Sequence, residues 1–194
     1  MAKLYFIYSA MNAGKSTILL QSAYNYRERG MQVMLWTSGH YRDGEADTAD
    51  ICSRIGLKAE AHLYRERDDL FETIAACKND QPIDAVFVDE AQFLVRDQVW
   101  QLARVADALG VPVMCYGLRT DFQGKLFPGS AELLAIADQL REVRTICHCG
   151  RKATMTARLD AEGKAITEGA QVDVKKSHYV SLCRRHWEEV TDIH

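Results

Sequence analysis

Apolar and polar positions along this chain are grouped in blocks rather than alternating residue by residue. Leu4 to Ser9, Val33 to Trp36, Ala85 to Val88 and Val113 to Tyr116 are short, nearly unbroken apolar runs, the pattern of strands covered on both faces. Between them, Lys15 to Arg29 carries Ile18, Leu19 and Leu20 ahead of a polar stretch and the stop at Gly30. Asp69 to Lys78, Arg96 to Leu109 and Ala131 to Leu140 also read as helices, with Gly110 closing the middle one of these three. Buried strands alternating with helices predict an α/β fold, a mostly parallel sheet with helices on both faces. Gly39 to Asp50 is polar, acidic and aperiodic, and is expected to be a loop of the kind that sits over a ligand.

The character changes after Thr145. Ala153 to Leu159 and Ala165-Ile166 flank the turn-forming Asp160 to Lys164 and predict a small hairpin. The expected organisation is an α/β unit over 1–145 and a compact C-terminal unit over 146–194. The length of 194 residues fits one domain plus an appendage at about 150 residues per domain.

Charge narrows the function. The chain has 24 Lys and Arg against 27 Asp and Glu, a net charge of −3, which argues against a protein that coats nucleic acid but leaves room for a local anion site. No apolar run approaches the roughly 20 residues needed to cross a bilayer. Leu4 to Ala10 is too short and too aromatic for a secretory signal. A cytoplasmic protein with no membrane or nucleic-acid partner is expected.

The densest chemistry lies between the first strand and the first helix. Ser9, Ala10, Met11, Asn12, Ala13, Gly14, Lys15, Ser16 and Thr17 match the phosphate-loop pattern G-x-x-x-x-G-K-[ST], except that Ser9 stands in place of the first glycine. Such a loop surrounds a polyphosphate with backbone N–H groups, places Lys15 near the β- and γ-phosphates and offers the Ser16 hydroxyl to Mg²⁺. An acidic residue at the end of a neighbouring strand should complete the site. Asp89 and Glu90 follow the run ending at Val88; Asp89 suits Mg²⁺, and Glu90, facing another way, can act on a nucleophile. The plainer alternative is a carboxylate pair capping the next helix.

Six cysteines divide into two groups. Cys52, Cys77 and Cys115 are scattered and read as buried or half-buried thiols, whereas Cys147, Cys149, Cys183 and His186 form a C-x-C and a C-x-x-H pair. Three thiolates and one imidazole make a closed set suited to structural Zn²⁺. His148 is a rival ligand, and a redox dithiol is the alternative chemistry.

In order along the chain stand the phosphate loop, Val86-Phe87-Val88-Asp89-Glu90-Ala91-Gln92-Phe93, Tyr116-Gly117-Leu118-Arg119-Thr120-Asp121-Phe122 with Gly124 and Phe127, Cys147 to Lys152, and Tyr179 to His186. Together these motifs resemble the type II thymidine kinases, bacterial branch, over nearly the whole chain. The resemblance implies a P-loop (RecA-like) parallel sheet with a small zinc-binding C-terminal domain, and transfer of the ATP γ-phosphoryl group to the 5′-hydroxyl of thymidine, giving the monophosphate for nucleotide salvage. It implies Glu90 as the catalytic carboxylate and Ser16 with Asp89 at Mg²⁺. Ser9 to Thr17, Asp89 and Gln92 would form the ATP and phosphate set, with Met11, Phe122, Phe127 and Tyr179 around the nucleoside. Structural Zn²⁺ on Cys147, Cys149, Cys183 and His186, a homotetramer and feedback by thymidine triphosphate are further implications. An aromatic face can stack on a base, although Phe127 reads equally well as a core residue.

Two segments depart from the family pattern. Val174 to His178 stands where the family has a Gly-Gly before the base-contacting tyrosine, and His40 or Tyr41 stands where an acid is usual before Arg42. A kinase of another deoxynucleoside, or a phosphate-loop ATPase whose zinc unit binds DNA or protein, are the competing functions.

Overall fold

The structure, a computed structural model, describes residues 1–40, 46–171 and 178–193. Tyr41, Arg42 and, of the departing segment before Tyr179, residues 174–177 fall outside the described residues. The apolar runs become β1 (Leu4–Ser9), β2 (Val33–Ser38), β5 (Ala85–Val88) and β6 (Val113–Leu118). They lie in a seven-stranded sheet with β3 (Thr48–Cys52), β4 (Lys58–Tyr64) and β7 (Gln139–Glu142), in the order β3-β4-β2-β5-β6-β1-β7. Every pairing is parallel except β3 with β4.

Side chains of successive strand residues point to opposite faces, which is why continuous apolar runs are needed. Phe6, Met34, Trp36, Val86, Val88 and Val113 join one core with Leu70 and Ile74 of α2 (Leu70–Asp80), Val99, Leu102 and Val105 of α3 (Arg96–Leu109) and Leu133 of α4 (Pro128–Ile136). Ile7, Leu35 and Phe87 face the other way, onto Leu19, Leu20 and Ala23 of α1 (Lys15–Glu28). Each such fully buried side chain contributes about 1.5–3 kcal/mol relative to exposure.

The expected architecture holds, and three elements differ from expectation. Gly39–Asp50 is not loop throughout: Thr48–Cys52 pairs antiparallel with Lys58–Tyr64. The helix expected to reach Leu140 ends at Ile136, and Leu140 sits in edge strand β7 beside β1. Asp138 explains the break, since its carboxylate accepts the Leu4 N–H at 2.8 Å and ties the chain to the sheet. In the C-terminal unit, β10 (Met155–Leu159) pairs over five residues with β11 (His178–Leu182). The expected partner contributes only a bridge from Leu159 to Ala165 closing the Asp160–Lys164 turn. Short β8 (Thr145–Ile146) and β9 (Lys152–Ala153), with α5 (Arg184–Thr191), complete the unit. Its core, Cys147, Ala153, Ala157, Leu182, Cys183 and Trp187, is separate from the two cores of the large sheet.

Candidate active site

Strands β1, β2, β5 and β6 run parallel, so their C-terminal ends meet at one edge, where ligands bind in open α/β sheets. The phosphate loop leaves β1 there. Asn12 (φ 62°) and Gly14 (φ 82°) adopt left-handed backbone, turning successive N–H groups inward before α1 begins. A Cβ on Gly14 would meet nothing within 4 Å, so the backbone angle rather than space requires glycine. Ser9 needs no such freedom, because it is the last residue of an extended strand. Its hydroxyl accepts from the Lys15 ammonium at 3.0 Å, and the Ala10 carbonyl accepts from the same ammonium at 3.3 Å. Burial lowers the proton affinity of Lys15, opposed by the charges of Glu90 and Asp89.

Asp89 follows β5, which is separated from β1 by β6, so the carboxylate is one strand further away than a neighbouring-strand acid would be. The Ser16 hydroxyl nevertheless donates to Asp89 Oδ2 at 3.0 Å. Burial first, then the adjacent Glu90 charge, push the Asp89 carboxyl up to about 7. Glu90 has φ 54°, a left-handed conformation that costs on the order of 1–3 kcal/mol in a non-glycine residue. Its carbonyl accepts from the buried Tyr64 hydroxyl at 2.7 Å. Its carboxylate accepts from the Gln92 side-chain amide.

Glu90 lies in the wall of a cavity of about 390 Å³ formed with Met11–Thr17, Leu118 and the β3–β4 turn at Cys52–Ile55. Cys52 is exposed there, not buried as the sequence suggested; Cys77 is half-buried and Cys115 buried. A second cavity, of about 420 Å³, is lined by Ser38, His40, Tyr64, Arg65, Gln92, Phe93, Phe127 and Gln171 among others. Phe127 meets Phe93 edge-on at 5.8 Å, and His40 stacks on Phe93 at 4.9 Å. The Glu90–Phe93 turn therefore supplies residues to both cavities.

The remaining sequence-selected residues sit nearby. Met11 donates its N–H to Thr156 Oγ1 at 3.2 Å, its carbonyl accepts from the Ser181 hydroxyl, and Asn12 Nδ2 donates to the Tyr179 carbonyl at 3.1 Å. The β10–β11 ribbon thus rests on the phosphate loop. Phe122 is buried beneath the Arg158 guanidinium at 5.3 Å, and neither it nor Tyr179 lines either cavity. Gln92 is 1% exposed, its amide shared between Glu90 and the Leu118 N–H. Tyr64, Phe93, Gly117 and Gln171 were not picked out as site residues. Only Phe93 and Gly117 lay inside motifs, and Tyr64 carries no sequence signal.

The cysteine and histidine donors converge. One donor atom from each of Cys147, Cys149, Cys183 and His186 lies within 4.8 Å of the others. Cys147 Sγ and Cys183 Sγ are 3.3 and 3.5 Å from His186 Nδ1, and Cys149 and Cys183 sulfurs are 3.9 Å apart. Tetrahedral Zn²⁺ with bonds of about 2.0–2.3 Å has ligand separations of about 3.4–3.8 Å, and the three distances lie within about 0.1 Å of that range, so the donor chemistry suits such an ion. Burial of Cys147 opposes thiolate formation, but backbone N–H groups of Cys149 and Cys183 and the His186 side chain bring it down to about 6. His148 stacks on His186 at 4.3 Å as a neighbour of the cluster.

A phosphate loop, a hydroxyl–carboxylate pair suited to a divalent cation and a second carboxylate in the wall of the phosphate-loop cavity are the arrangement of a phosphate-loop nucleotide-binding enzyme equipped for phosphoryl transfer. The thymidine kinase family profile matches residues 2–187. The thymidine kinase of Mesorhizobium japonicum is 66% identical over 97% of this chain and 92% of its own length. Those of Ruegeria pomeroyi and Rhizobium meliloti are each 65% identical, covering 98% and 97% of this chain and 96% and 97% of their own lengths. The chain belongs to the thymidine kinase family. It is a kinase that phosphorylates thymidine in nucleotide salvage, which decides against the ATPase reading.

Proposed function

We propose that ATP occupies the phosphate-loop cavity, that thymidine enters the adjoining cavity, and that Glu90 is the base joining them. The observation that carries this is the position of the Glu90–Phe93 turn, in which Glu90 lines the phosphate-loop cavity and Phe93 lines the second cavity. Glu90 accepts the proton of the 5′-hydroxyl as that oxygen bonds to the γ-phosphorus. The bond from γ-phosphorus to the β,γ-bridging oxygen breaks, and its electron pair leaves with ADP. Lys15 and the N–H groups of Ala10–Thr17 hold the phosphates, a positioning and charge-stabilising task suited to a loose transition state. Ser16 and Asp89 would hold Mg²⁺, which would supply neutralisation of phosphate charge.

Phe127, set against Phe93, offers the base an aromatic wall; Met11 lines the phosphate-loop cavity, and Phe122 and Tyr179, which line neither cavity, are proposed to shape the nucleoside site from behind it. An apolar pocket for the 5-methyl group is worth only about 1–3 kcal/mol, so deoxyuridine is rejected weakly and cytosine by polar groups. Zn²⁺ is the ion the cysteine and histidine donors fit, and the chain divides near Thr145 into the kinase unit and its zinc-stapled appendage. A homotetramer and feedback by thymidine triphosphate follow the family resemblance; Ile18 and Tyr24, both exposed on α1, fit a surface covered by another copy. Among the described residues no helix is long and apolar enough to cross a membrane, in keeping with cytoplasmic residence. The test is incubation of zinc-loaded protein with Mg·ATP and thymidine, deoxyuridine, deoxycytidine and ribosylthymine in turn. Thymidine 5′-monophosphate should dominate, deoxyuridine should follow within about 10–200-fold, and equal turnover of deoxycytidine would overturn the assignment of the second cavity.

A further inference from the structure

We infer that Gln92 is the positioning residue for the Glu90 carboxylate, and that Gly117 exists to let it reach there. This rests on Glu90 being the base. The Gln92 side chain is buried, and its two ends have separate tasks. Oε1 accepts the backbone N–H of Leu118 at 3.0 Å, and Nε2 donates to Glu90 Oε2. The first bond decides the second. A buried N–H needs an acceptor, so the amide oxygen is held toward β6 and the amide nitrogen must face the carboxylate. Leu118 is itself fixed, because its carbonyl accepts from the buried Ser130 hydroxyl.

Gly117 provides the space. A Cβ there would lie 3.0 Å from both the Gln92 backbone nitrogen and Oε1, closer than such contacts normally occur, and would push the amide off Leu118. At the other end of the turn, the buried Tyr64 hydroxyl bonds the Glu90 carbonyl and holds its left-handed backbone. One carboxylate oxygen is thus committed to Gln92, which leaves the other to meet the nucleophile in a fixed direction. Positional control of this kind acts on the reacting geometry rather than on substrate affinity.

The experiment is a double-mutant cycle in the full-length, zinc-loaded enzyme. Gln92→Met keeps the length of the side chain and removes the donor to Glu90 without placing a second carboxyl beside it; Gly117→Ala leaves Gln92 intact and displaces it. Each should lower kcat at least tenfold while KM for ATP stays within about twofold. In a Glu90→Gln background, each should change the residual kcat by less than twofold. Single-variant kcat values within twofold of wild type, or losses that multiply in full with Glu90→Gln, would overturn the inference. A Glu90→Gln enzyme with unchanged kcat would instead remove Glu90 as the base, which separates failure of the proposed mechanism from failure of this assignment. Melting temperatures of all variants guard against misfolding, and agreement between the two different substitutions keeps the result interpretable if one of them is unstable.

Discussion

Asp89 and Glu90 are adjacent in sequence but differ in backbone and in partner, and the separate roles proposed for them rest on that difference. Asp89 is buried and bonded to Ser16, whereas Glu90 turns through a left-handed conformation toward the cavity walls. Removing the base should cost what a positioned general base contributes, about 10²–10⁴ in rate. Glu90→Gln is therefore expected to lower kcat by that factor with the ATP dissociation constant nearly unchanged; equal kcat would return Glu90 to a helix-capping role. Asp89 makes a pH prediction for the metal-free enzyme. Burial and the Glu90 charge raise its carboxyl from 3.8 to about 7 in the folded protein, so folding favours the protonated form. The associated stability is fully present below about pH 4 and is lost as pH rises through about 7. Melting curves of wild type and Asp89→Asn between pH 5 and 8 should show wild type losing ground as pH rises, and a constant difference would contradict the burial argument.

At the level of elements, legibility followed local pattern. β1, β2, β5 and β6 were readable because strands covered on both faces are continuous apolar runs, and the phosphate loop was readable because its glycine and lysine sit between such a run and a helix. β3 and β4 were hidden: Thr48-Ala49-Asp50 and Lys58-Ala59-Glu60 are polar or small residues at one side of the sheet, paired by tertiary contacts rather than by composition. The β10–β11 pairing was hidden for a related reason, since the nearer turn at Asp160–Lys164 offers a local hairpin that the distant β11 largely replaces. Close approaches were invisible as well. Gly129, in the first turn of α4, would put a Cβ 2.5 Å from the Ala91 carbonyl and 2.7 Å from that of Leu94, so the helix start presses against the turn carrying Gln92. Gly129→Ala should destabilise the fold by about 1–3 kcal/mol and lower kcat with it. Urea denaturation and steady-state assay of that variant check both, and unchanged stability would mean that the turn can yield.

Across the whole molecule, hydrogen bonds join the C-terminal ribbon to the phosphate loop. The Trp187 indole N–H, one residue after His186, donates to the carbonyls of Phe122 and Thr156 at 3.2 and 3.1 Å. Thr156 in turn accepts the Met11 N–H, and Ser181 and Tyr179 of β11 hold the Met11 and Asn12 groups. A path of hydrogen bonds and covalent links thus runs from the cysteine and histidine cluster through Trp187 and Thr156 to the loop that would hold ATP. Structural zinc binding is coupled to folding, so losing one thiolate should loosen both ends of this path. Cys183→Ser is expected to release the metal, lower the melting temperature, and speed hydrogen exchange at the Met11 amide, with a rise in KM for thymidine as the ribbon separates from the loop. Metal content, a thermal melt and exchange measured on the same preparation distinguish the links: metal loss without faster exchange at Met11 would confine the zinc to local stapling, and full metal content would take Cys183 out of the ligand set.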